Sequence, residues 1–452
     1  MTSITGAITK IKDDPKQLLG EQTIAAACQQ VGYSWRKRVL DPVATIGLFI
    51  LQVLHGNIAC QGLRHLSDLT FTATAYCQAR RRLPLQIYQW LCRSFIEGLR
   101  ASTQDVAAAS AWLGHRVFRV DGTGISMPDT PALQRHFGQP TGMKAGCGFP
   151  VAHLLVMIDA ATGLIIEVIG SCWRRHDASL LLQLHPHLRP GDVVLGDRGF
   201  CSYVHLALLF TQKMHAVLRV HQRTIVNFKA HRPRRRDLPK NRRKGQPTSR
   251  YVKRLGYQDQ LVEYAKATRA PEWLSAEQFA DLPATLVVRE LRYRITRKGY
   301  RTRNVTLVTT LHDPVQYPKQ ELAQLYDARW QIETDLLALK QTLGLDVLRC
   351  RTVDGVMKEL AMFVIVYNLV RLVMLRSAQQ QDVAPDRISF IDALRWLCFG
   401  QLGESIPDLL INPHRPGRHQ PRVIKRRKDR YSYMTKPRPE LLERLGITAV
   451  KA

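Results

Sequence analysis

The sequence predicts an α/β protein in which a helical N-terminal region precedes a core with a β-rich insertion. Three observations support this. Apolar residues recur at helical spacing up to about residue 110. β-type segments begin near Val117, and two of them end at an aspartate beside glycine, Asp121 and Asp197. Tyr326–Lys340 returns to helical spacing. We therefore expect a helical domain over 1–110, an α/β core over 111–378 with an insertion at about 222–303, and a helical, basic region over 379–452.

The chain is strongly basic. Its 452 residues are enough for two or three domains. A formal net charge of +29 and a pI of about 10.1 predict a polyanionic partner. On charge alone, DNA, RNA and an anionic membrane surface all remain open.

The apolar and cysteine patterns favour a cytoplasmic protein with no membrane partner. The N-terminus, Met1–Lys16, is polar and mixed, unlike a signal peptide. The most apolar run, Leu360–Leu375, contains Asn368 and Arg371 and is too short to span a bilayer. The nine cysteines include no C-x-x-C pair, which favours a reducing compartment and disfavours a structural zinc site.

The helical region contains a candidate helix-turn-helix at residues 60–84. A short helix is expected at Gly62–Leu69 and a second at Thr70–Leu83, where Pro84 ends it. The second helix carries Arg80, Arg81 and Arg82. A basic helix in this position is typical of major-groove recognition, and the alternative is a solvated basic face. The N-terminal region is therefore a candidate DNA-binding domain.

Five strands are expected next, with one helix between the last two. Their order is a three-strand meander, a connection, a strand, a helix (Tyr203–Phe210) and a strand, which is close to the order of the ribonuclease-H-like fold. Taken singly, Asp121 is explained by a turn and Asp197 by a helix cap. Asp129 is expected to cap a helix and Asp159 to adjoin a hairpin turn. The expected strands are Val117–Val120, Val151–Asp159, Leu164–Ile169, Asp192–Leu195 and Ala216–Val220.

The insertion is expected to be a small β-rich subdomain with a basic loop. Phe228–Arg254 is dense in lysine, arginine and proline, so it cannot bury a core and is expected to be mobile without a partner. Strand-like segments follow at Leu261–Ala265, Thr285–Arg289 and Arg292–Thr296, and another at Asn304–Leu311.

Tyr326–Lys340 is predicted to be one helix with a buried stripe of Ile332, Leu336, Leu339 and Leu343. On an ideal helix Tyr326, Arg329, Glu333 and Lys340 return to one face, whereas Asp335 faces away from Glu333. A carboxylate flanked by cations suits a divalent metal and the phosphates on which it acts. The alternative is a solvated face with an ordinary Arg329–Glu333 pair.

The spacing Tyr-x2-Arg-x3-Glu-x6-Lys resembles the signature of bacterial cut-and-paste transposases of the insertion-sequence-four family, a branch of the DDE transposases. The resemblance extends from about Ser34 to the basic block at Lys425–Lys428. It implies that Glu333 is the third catalytic carboxylate. Asp121, in Asp-Gly-Thr, and Asp197, in Gly-Asp-Arg-Gly-Phe, match the first two. All three are therefore expected to bind metal.

The resemblance implies cleavage of double-stranded DNA at the element ends and transfer of the 3′ ends into target DNA. Two Mg²⁺ ions are expected, because carboxylate oxygens are hard ligands, and Mn²⁺ is the expected substitute. A homodimer on the DNA and a bacterial, nucleoid-associated location are also implied. The expected DNA-phosphate contacts are Tyr326, Arg329, Lys340 and Arg198. Further DNA contacts are assigned to Arg80, Arg81, Arg82, Lys425, Arg426 and Arg427, the last three within the basic block His414–Arg438.

The sequence departs from the family pattern at one place, and two alternative functions remain open. Some members of the family place a tryptophan in the insertion, where it stacks on a flipped base, and Val305 occupies the comparable place here. Trp273 and Tyr300 are substitutes, although packing is favoured for Trp273. A DNA-binding protein that has lost catalysis, or a nuclease of the same fold that cuts without joining, would share most of these features.

Overall fold

The computed structural model describes residues 18–140, 142–172, 177–295, 304–346, 348–400, 405–413 and 436–446. It is a mixed α/β protein built on one large sheet. The strands are β1 (Val117–Ser126), β2 (Val151–Asp159), β3 (Ile165–Cys172), β4 (Val193–Gly196), β5 (His215–Arg219), β6 (Arg250–Gly256), β7 (Asp259–Ala265), β8 (Thr285–Arg294) and β9 (Asn304–Thr309).

Helices precede, separate and follow the strands. Within the described residues, five precede β1: α1 (Glu21–Gln30), α2 (Pro42–Leu54), α3 (Ala73–Arg82), α4 (Leu85–Ser102) and α5 (Gln104–Ala109). Four lie among the strands: α6 (Pro131–Phe137), α7 (Asp177–Leu181), α8 (Tyr203–Thr211) and α9 (Ala276–Ala280). Five follow β9: α10 (Lys319–Asp327), α11 (Gln331–Leu337), α12 (Val353–Gln380), α13 (Phe390–Phe399) and α14 (Arg438–Arg444).

The sheet has nine strands in the order β3-β2-β1-β4-β5-β9-β8-β7-β6. The first three form the expected antiparallel meander, and β4 and β5 run parallel to β1. β4 consists of Val193, Val194, Leu195 and Gly196, all buried. Continuous burial is typical of a parallel strand covered on both faces. The predicted order of the first five strands is confirmed.

β1 is longer than expected. Asp121 was predicted to end the strand, but it lies in the middle of β1, which continues to Ser126. β2 hydrogen-bonds along the whole of this extension, with Asp121 opposite Val156 and Ser126 opposite Val151. The glycines in Asp-Gly-Thr-Gly therefore do not break the strand, because an antiparallel partner holds it extended.

The insertion does not form a separate subdomain. β9 pairs antiparallel with β5 on one side and with β8 on the other, so β6, β7 and β8 extend the same sheet. The two expected strands over 285–296 are one strand, β8. The basic loop is anchored as well, because the buried Arg232 guanidinium donates to the carbonyl oxygens of Asn227 and Ser249 at 2.7 and 2.8 Å.

α12 is the central helix of the fold. With 28 residues, this helix is long and apolar enough to cross a membrane. The expectation that this apolar run is too short was therefore wrong. However, 89% of its most apolar window is buried inside the protein. Asn368 donates to the Ile165 carbonyl and accepts from the Ile165 amide. These buried bonds identify α12 as a core helix.

The N-terminal helices share the core of the sheet domain. One buried cluster includes Ile46 of α2, Phe95 of α4, Phe118 of β1 and Val366 of α12. α12 contacts α2, α4 and α13 directly. The sequence boundary near residue 110 therefore does not separate two hydrophobic cores.

The candidate helix-turn-helix is not formed as expected. Its first helix is a single 3-10 turn, Gly62–His65, and only the second, α3, is an α-helix. Arg80, predicted to contact DNA, is buried and lies 3.6 Å from the centre of the Phe49 ring. Its guanidinium donates to Gln52 Oε1 at 3.0 Å and to Cys350 Sγ at 3.0 Å. Arg80 is thus a core residue, whereas Arg81 and Arg82 are exposed.

Replacing Arg80 should therefore affect stability. We expect Arg80→Ala to lower the free energy of unfolding by about 2–4 kcal/mol, since it leaves the buried Gln52 acceptor without this partner and removes the packing on Phe49. Arg81→Ala is the matched control and should change it by less than about 0.5 kcal/mol. Urea unfolding of both variants measures the difference. Equal stabilities would contradict the core assignment of Arg80.

Candidate active site

The strand register places Asp121 level with Asp197. Val117, Phe118 and Arg119 of β1 lie opposite Val193, Val194 and Leu195 of β4. The same register carried two residues further sets Asp121 beside Asp197, just beyond the end of β4. In neighbouring parallel strands, residues at one level point to the same face. Two carboxylates thus meet where the β1–β4 pairing stops.

Asp121 sits in a partly buried, acidic setting. Its Oδ1 accepts from the Gly122 amide at 2.9 Å, and its Oδ2 lies 3.4 Å from Nη1 of Arg329. Burial raises the pKa of the Asp121 carboxyl to about 6. The Arg329 charge opposes this shift, and the negative charges of Asp197 and Glu333 add to it. The negative charges of Asp197 and Glu333 are the part of this environment that would attract an added cation.

Asp197 is held by the turn that follows β4. Its Oδ1 accepts from the Gly199 amide at 2.7 Å. A Cβ on Gly196 would lie 2.9 Å from the Phe200 ring and 3.0 Å from Leu218, so only glycine lets the chain turn this closely. Arg198 points to Gln222, to whose Oε1 it donates at 2.9 Å.

The predicted single helix over Tyr326–Lys340 is in fact broken. α10 ends at Asp327, a 3-10 turn spans Ala328–Trp330, and α11 continues into a π-helical turn at Ala338–Thr342. The π turn is closed by the bond from the Leu343 amide to the Ala338 carbonyl, at 3.0 Å. Such turns shift the direction of the side chains beyond them, which spacing on an ideal helix cannot predict.

Arg329 joins the two carboxylates nearest to it. Its Nη2 lies 3.3 Å from Glu333 Oε1, which is the pair that the alternative interpretation of this helix named, and its Nη1 reaches Asp121. The guanidinium is buried and lies 5.7 Å from the Tyr326 ring centre and 5.3 Å from that of Trp330. The contact with Asp121 was not predicted, because it joins distant parts of the chain.

Tyr326 is buried beneath Arg329. It belongs to the cluster formed by Leu195, Leu307 and Leu325 on one face of the sheet. Burial raises the pKa of its hydroxyl to about 12, so this phenol stays protonated at neutral pH. It can therefore donate a hydrogen bond to a phosphate oxygen.

Lys340 returns to β1 and does not contact Glu333. Its Nζ donates to the Gly124 carbonyl at 3.0 Å and to Thr123 Oγ1 at 3.3 Å, and Asp346 Oδ1 lies 3.5 Å away. Thus the π turn brings the ammonium group to the far end of β1, past Asp121. The cation stands at one end of the acidic cleft.

Asp335 faces away from Glu333, as predicted. It is buried, with its carboxylate 3.5 Å from Arg119 of β1 and 3.8 Å from Arg371 of α12. Two buried cations thus hold α11 between the sheet and the central helix. Sequence reasoning missed this cluster, although Arg119 was a usable signal for it, since it is a charged residue inside an apolar strand segment.

The carboxylates border an open cleft of about 270 Å³ lined by Asp121, Glu333 and Lys340. Among the residues that the structure describes, no group of three or more His, Cys, Asp or Glu side chains is arranged to hold a metal ion. The Arg329 guanidinium stands between two of the three candidate ligands. The donor chemistry, carboxylate oxygen only, fits Mg²⁺ or Mn²⁺, provided that Arg329 moves aside.

Other predicted residues have different environments. Trp273 stacks on His205 at 4.9 Å between ring centres, so it packs as favoured, and Val305 is buried on β9. Thr130, not Asp129, caps α6, while Asp159 accepts from the hairpin-turn amides as predicted. Lys425, Arg426, Arg427 and Tyr300 lie outside the described residues. At the end of the second basic block, Arg438 is 2.6 Å from Asp129, so this arginine contacts protein.

Carboxylates within β1 and just beyond the end of the adjacent β4, with a third on a helix at the same cleft, define a candidate nucleic-acid-processing site. The family model described as "Transposase DDE domain" matches residues 112–369, which is more than half of the chain. The chain therefore belongs to the DDE transposases, and it is a DNA transposase.

The similar proteins include the transposase of an insertion sequence. The chain is 25% identical over 346 residues to "Transposase InsG for insertion sequence element IS4" of Escherichia coli (strain K12), covering 72% of this chain and 71% of the relative. A solved structure, "Cryo-EM structure of piggyBac transposase synaptic complex with hairpin DNA (SNHP)", aligns with a TM-score of 0.45 and 10% identity. That alignment covers 88% of this chain and 80% of the other.

Removing the Arg329 charge should strengthen metal binding in the absence of DNA. We expect Arg329→Gln to bind Mn²⁺ about tenfold more tightly at pH 8, because a cation no longer competes for Asp121 and Glu333. Titration calorimetry, or the electron paramagnetic resonance of free Mn²⁺, measures the affinity. Arg198→Gln is the control, since Arg198 contacts an amide, and it should match the parent protein. Equal affinities in all three proteins would contradict the competition.

Proposed function

We propose that the chain binds the ends of an insertion sequence, cleaves the DNA there and joins the freed 3′ ends to target DNA at one site formed by Asp121, Asp197 and Glu333. The matched register of Asp121 and Asp197 on β1 and β4, with Glu333 tied to Asp121 through Arg329, carries this proposal. β1–β5 with their helices would form a ribonuclease-H-like core. Both steps can use one site because each is a nucleophilic attack on a phosphodiester. Water attacks in the cleavage step, and the freed 3′ hydroxyl attacks in the joining step.

Transposase DDE domains use divalent metals, and we propose Mg²⁺ held by these three carboxylates, with Mn²⁺ as a substitute. Bound there, a pair of cations would activate the attacking oxygen and stabilise the leaving oxygen. The exposed Glu333 side chain, 48% accessible, can turn toward Asp197 once Arg329 releases it. Burial of Asp121 keeps water away from one wall of the site, which strengthens its pull on a cation.

In this proposal, Arg329 leaves the carboxylates of Asp121 and Glu333 and binds a DNA phosphate. Its planar fork now contacts two carboxylates and matches the oxygens of a phosphate equally well. A DNA phosphate in the cleft would draw the guanidinium off Asp121 and Glu333 and free them for metal. Tyr326 would donate to the same phosphate from below. Lys340, at the other end of the cleft, would hold the next phosphate along the strand.

The proposed partner is double-stranded DNA, at the element ends and at the target. The net charge of +29 supports phosphate contact over a wide surface. Arg198, Arg81 and Arg82 are proposed contacts within the described part of the chain, and Lys425, Arg426 and Arg427 are proposed outside it. Two copies would act on the paired ends, in the bacterial cytoplasm at the nucleoid.

Conservative changes at the three acids should separate chemistry from binding. We expect Asp121→Asn, Asp197→Asn and Glu333→Gln each to lower the rate of end cleavage by about three orders of magnitude or more, because each removes a metal ligand. Their affinity for end DNA, measured in Ca²⁺ or without metal, should remain within about threefold of the parent. Glu277→Gln, at an exposed position on α9, is the control. Near-normal cleavage by any of the three would remove that residue from the site.

A second assay separates a transposase from a nuclease that only cuts. The protein is given end DNA that is already cleaved and carries a free 3′ hydroxyl, together with supercoiled target and Mg²⁺. We expect joined products, which all three acid variants should fail to form because both steps need the same carboxylates. Cleavage of intact ends without joining of pre-cleaved ends would favour the nuclease.

A further inference from the structure

A basic groove lies on the N-terminal helices. It lies between the α1–α2 connection and the end of α3 and has a volume of about 230 Å³. We call it the N-terminal groove, and define it by the residues used below. These are Tyr33, Trp35, Arg36, Arg38, Asp41 and Arg82.

The charge of the N-terminal groove is positive and available. Arg36, Arg38 and Arg82 line it and are exposed. The acid among the six, Asp41, is engaged at the start of α2, where it accepts from the Ala44 amide at 2.8 Å. Three arginines therefore converge without a carboxylate to neutralise them fully, an arrangement that attracts an anionic ligand.

An exposed aromatic side chain stands beside these arginines. Trp35 is 38% exposed and stacks on Tyr33, with ring centres 6.5 Å apart and planes 10° apart. The connection is held in place, because the Tyr33 amide donates to the Cys28 carbonyl at 2.8 Å. An exposed aromatic ring among arginines is a combination typical of nucleic-acid-binding surfaces.

We propose that the N-terminal groove binds the sugar–phosphate backbone of duplex DNA, at a place separate from the catalytic cleft. Arg36, Arg38 and Arg82 would contact phosphates, and Trp35 would pack against the adjoining sugar. This inference rests on the proposed function and makes it more specific. It moves the N-terminal DNA contact from the buried Arg80 to the outer end of the same helix.

Duplex DNA fits better than an unpaired base or an acidic peptide. Lys37 and Arg81 are exposed beside the groove residues, so the positive surface is wider than a single phosphate. A row of cations suits the regular spacing of phosphates along a duplex. Trp35 contacts Tyr33 on one side and is 38% exposed, so part of the indole is accessible to an adjoining sugar.

The test compares the salt dependence of binding between variants of equal charge. Arg36→Gln/Arg38→Gln is measured against Arg93→Gln/Arg395→Gln, which removes two exposed arginines from α4 and α13. Fluorescence anisotropy with labelled end DNA gives the affinity at several salt concentrations. Each phosphate that an arginine neutralises adds about 0.9 to the slope of log affinity against log salt, so we expect the groove variant to have a slope smaller by about 1.8. The control slope should not change.

Trp35 provides an independent measurement. We expect Trp35→Ala to weaken duplex binding about tenfold while leaving the slope unchanged, and Trp35→Phe to restore most of the affinity. Melting temperatures of all variants should match the parent, because the replaced side chains are exposed. Weakened binding with a lowered melting temperature in every groove variant would mean that the connection is structural, which would overturn the proposal.

Three results bear on the groove alone. A slope for Arg36→Gln/Arg38→Gln that equals the parent's overturns it. Loss of binding to a single strand without loss to a duplex assigns the groove to unpaired DNA and also overturns it. A reduced slope for duplex supports it. Cleavage of end DNA by the parent protein is measured in parallel. A parent that cleaves, with an unchanged salt slope in Arg36→Gln/Arg38→Gln, overturns the groove alone, whereas a parent that does not cleave overturns the proposed catalytic function.

Discussion

The site depends on one buried guanidinium, that of Arg329. It connects Asp121, on a central strand, to Glu333, on a helix that also contacts the sheet through the Asp335–Arg119 pair. Burying a cation carries a large desolvation cost, which two carboxylates and two aromatic faces offset here. Without Arg329, Asp121 and Glu333 would repel each other across the cleft. The Arg329 cation thus offsets the repulsion between the carboxylates of Asp121 and Glu333 and stabilises their close approach.

The helical segment that carries Arg329 and Lys340 is irregular at two places. The 3-10 turn at Ala328–Trp330 directs Arg329 down toward the sheet, and the π turn at Ala338–Thr342 directs Lys340 onto β1. A regular α-helix through both residues would place them on one face but not against the strand. Two local departures from regular geometry therefore position the two cations at opposite ends of the cleft. Such departures persist where the surrounding packing fixes them.

The single sheet links the site to the insertion. β9 hydrogen-bonds to β5 and β8, so β6, β7 and β8 belong to the same sheet as the strands that position Asp121 and Asp197. Each strand pair adds a ladder of backbone hydrogen bonds between the insertion and the core. Arg232 anchors the basic loop beside the start of β6, where it donates to the Ser249 carbonyl oxygen.

Local sequence patterns were enough to predict most of the elements, whereas the resemblance to a known family was needed to select the candidate acids among the other carboxylates. Strand alternation and glycine placed Asp121 and Asp197, and helical spacing placed Glu333 beside Arg329. These patterns did not reveal that Asp121 lies inside a strand, that Arg80 is buried or that β9 joins the insertion to the core. Each of these features depends on a partner far away in the chain: β2, the Phe49 ring and β5. The spacing of apolar residues predicts which face of a helix or strand is buried. Long-range packing decides which element covers that face and which charged side chains come into contact.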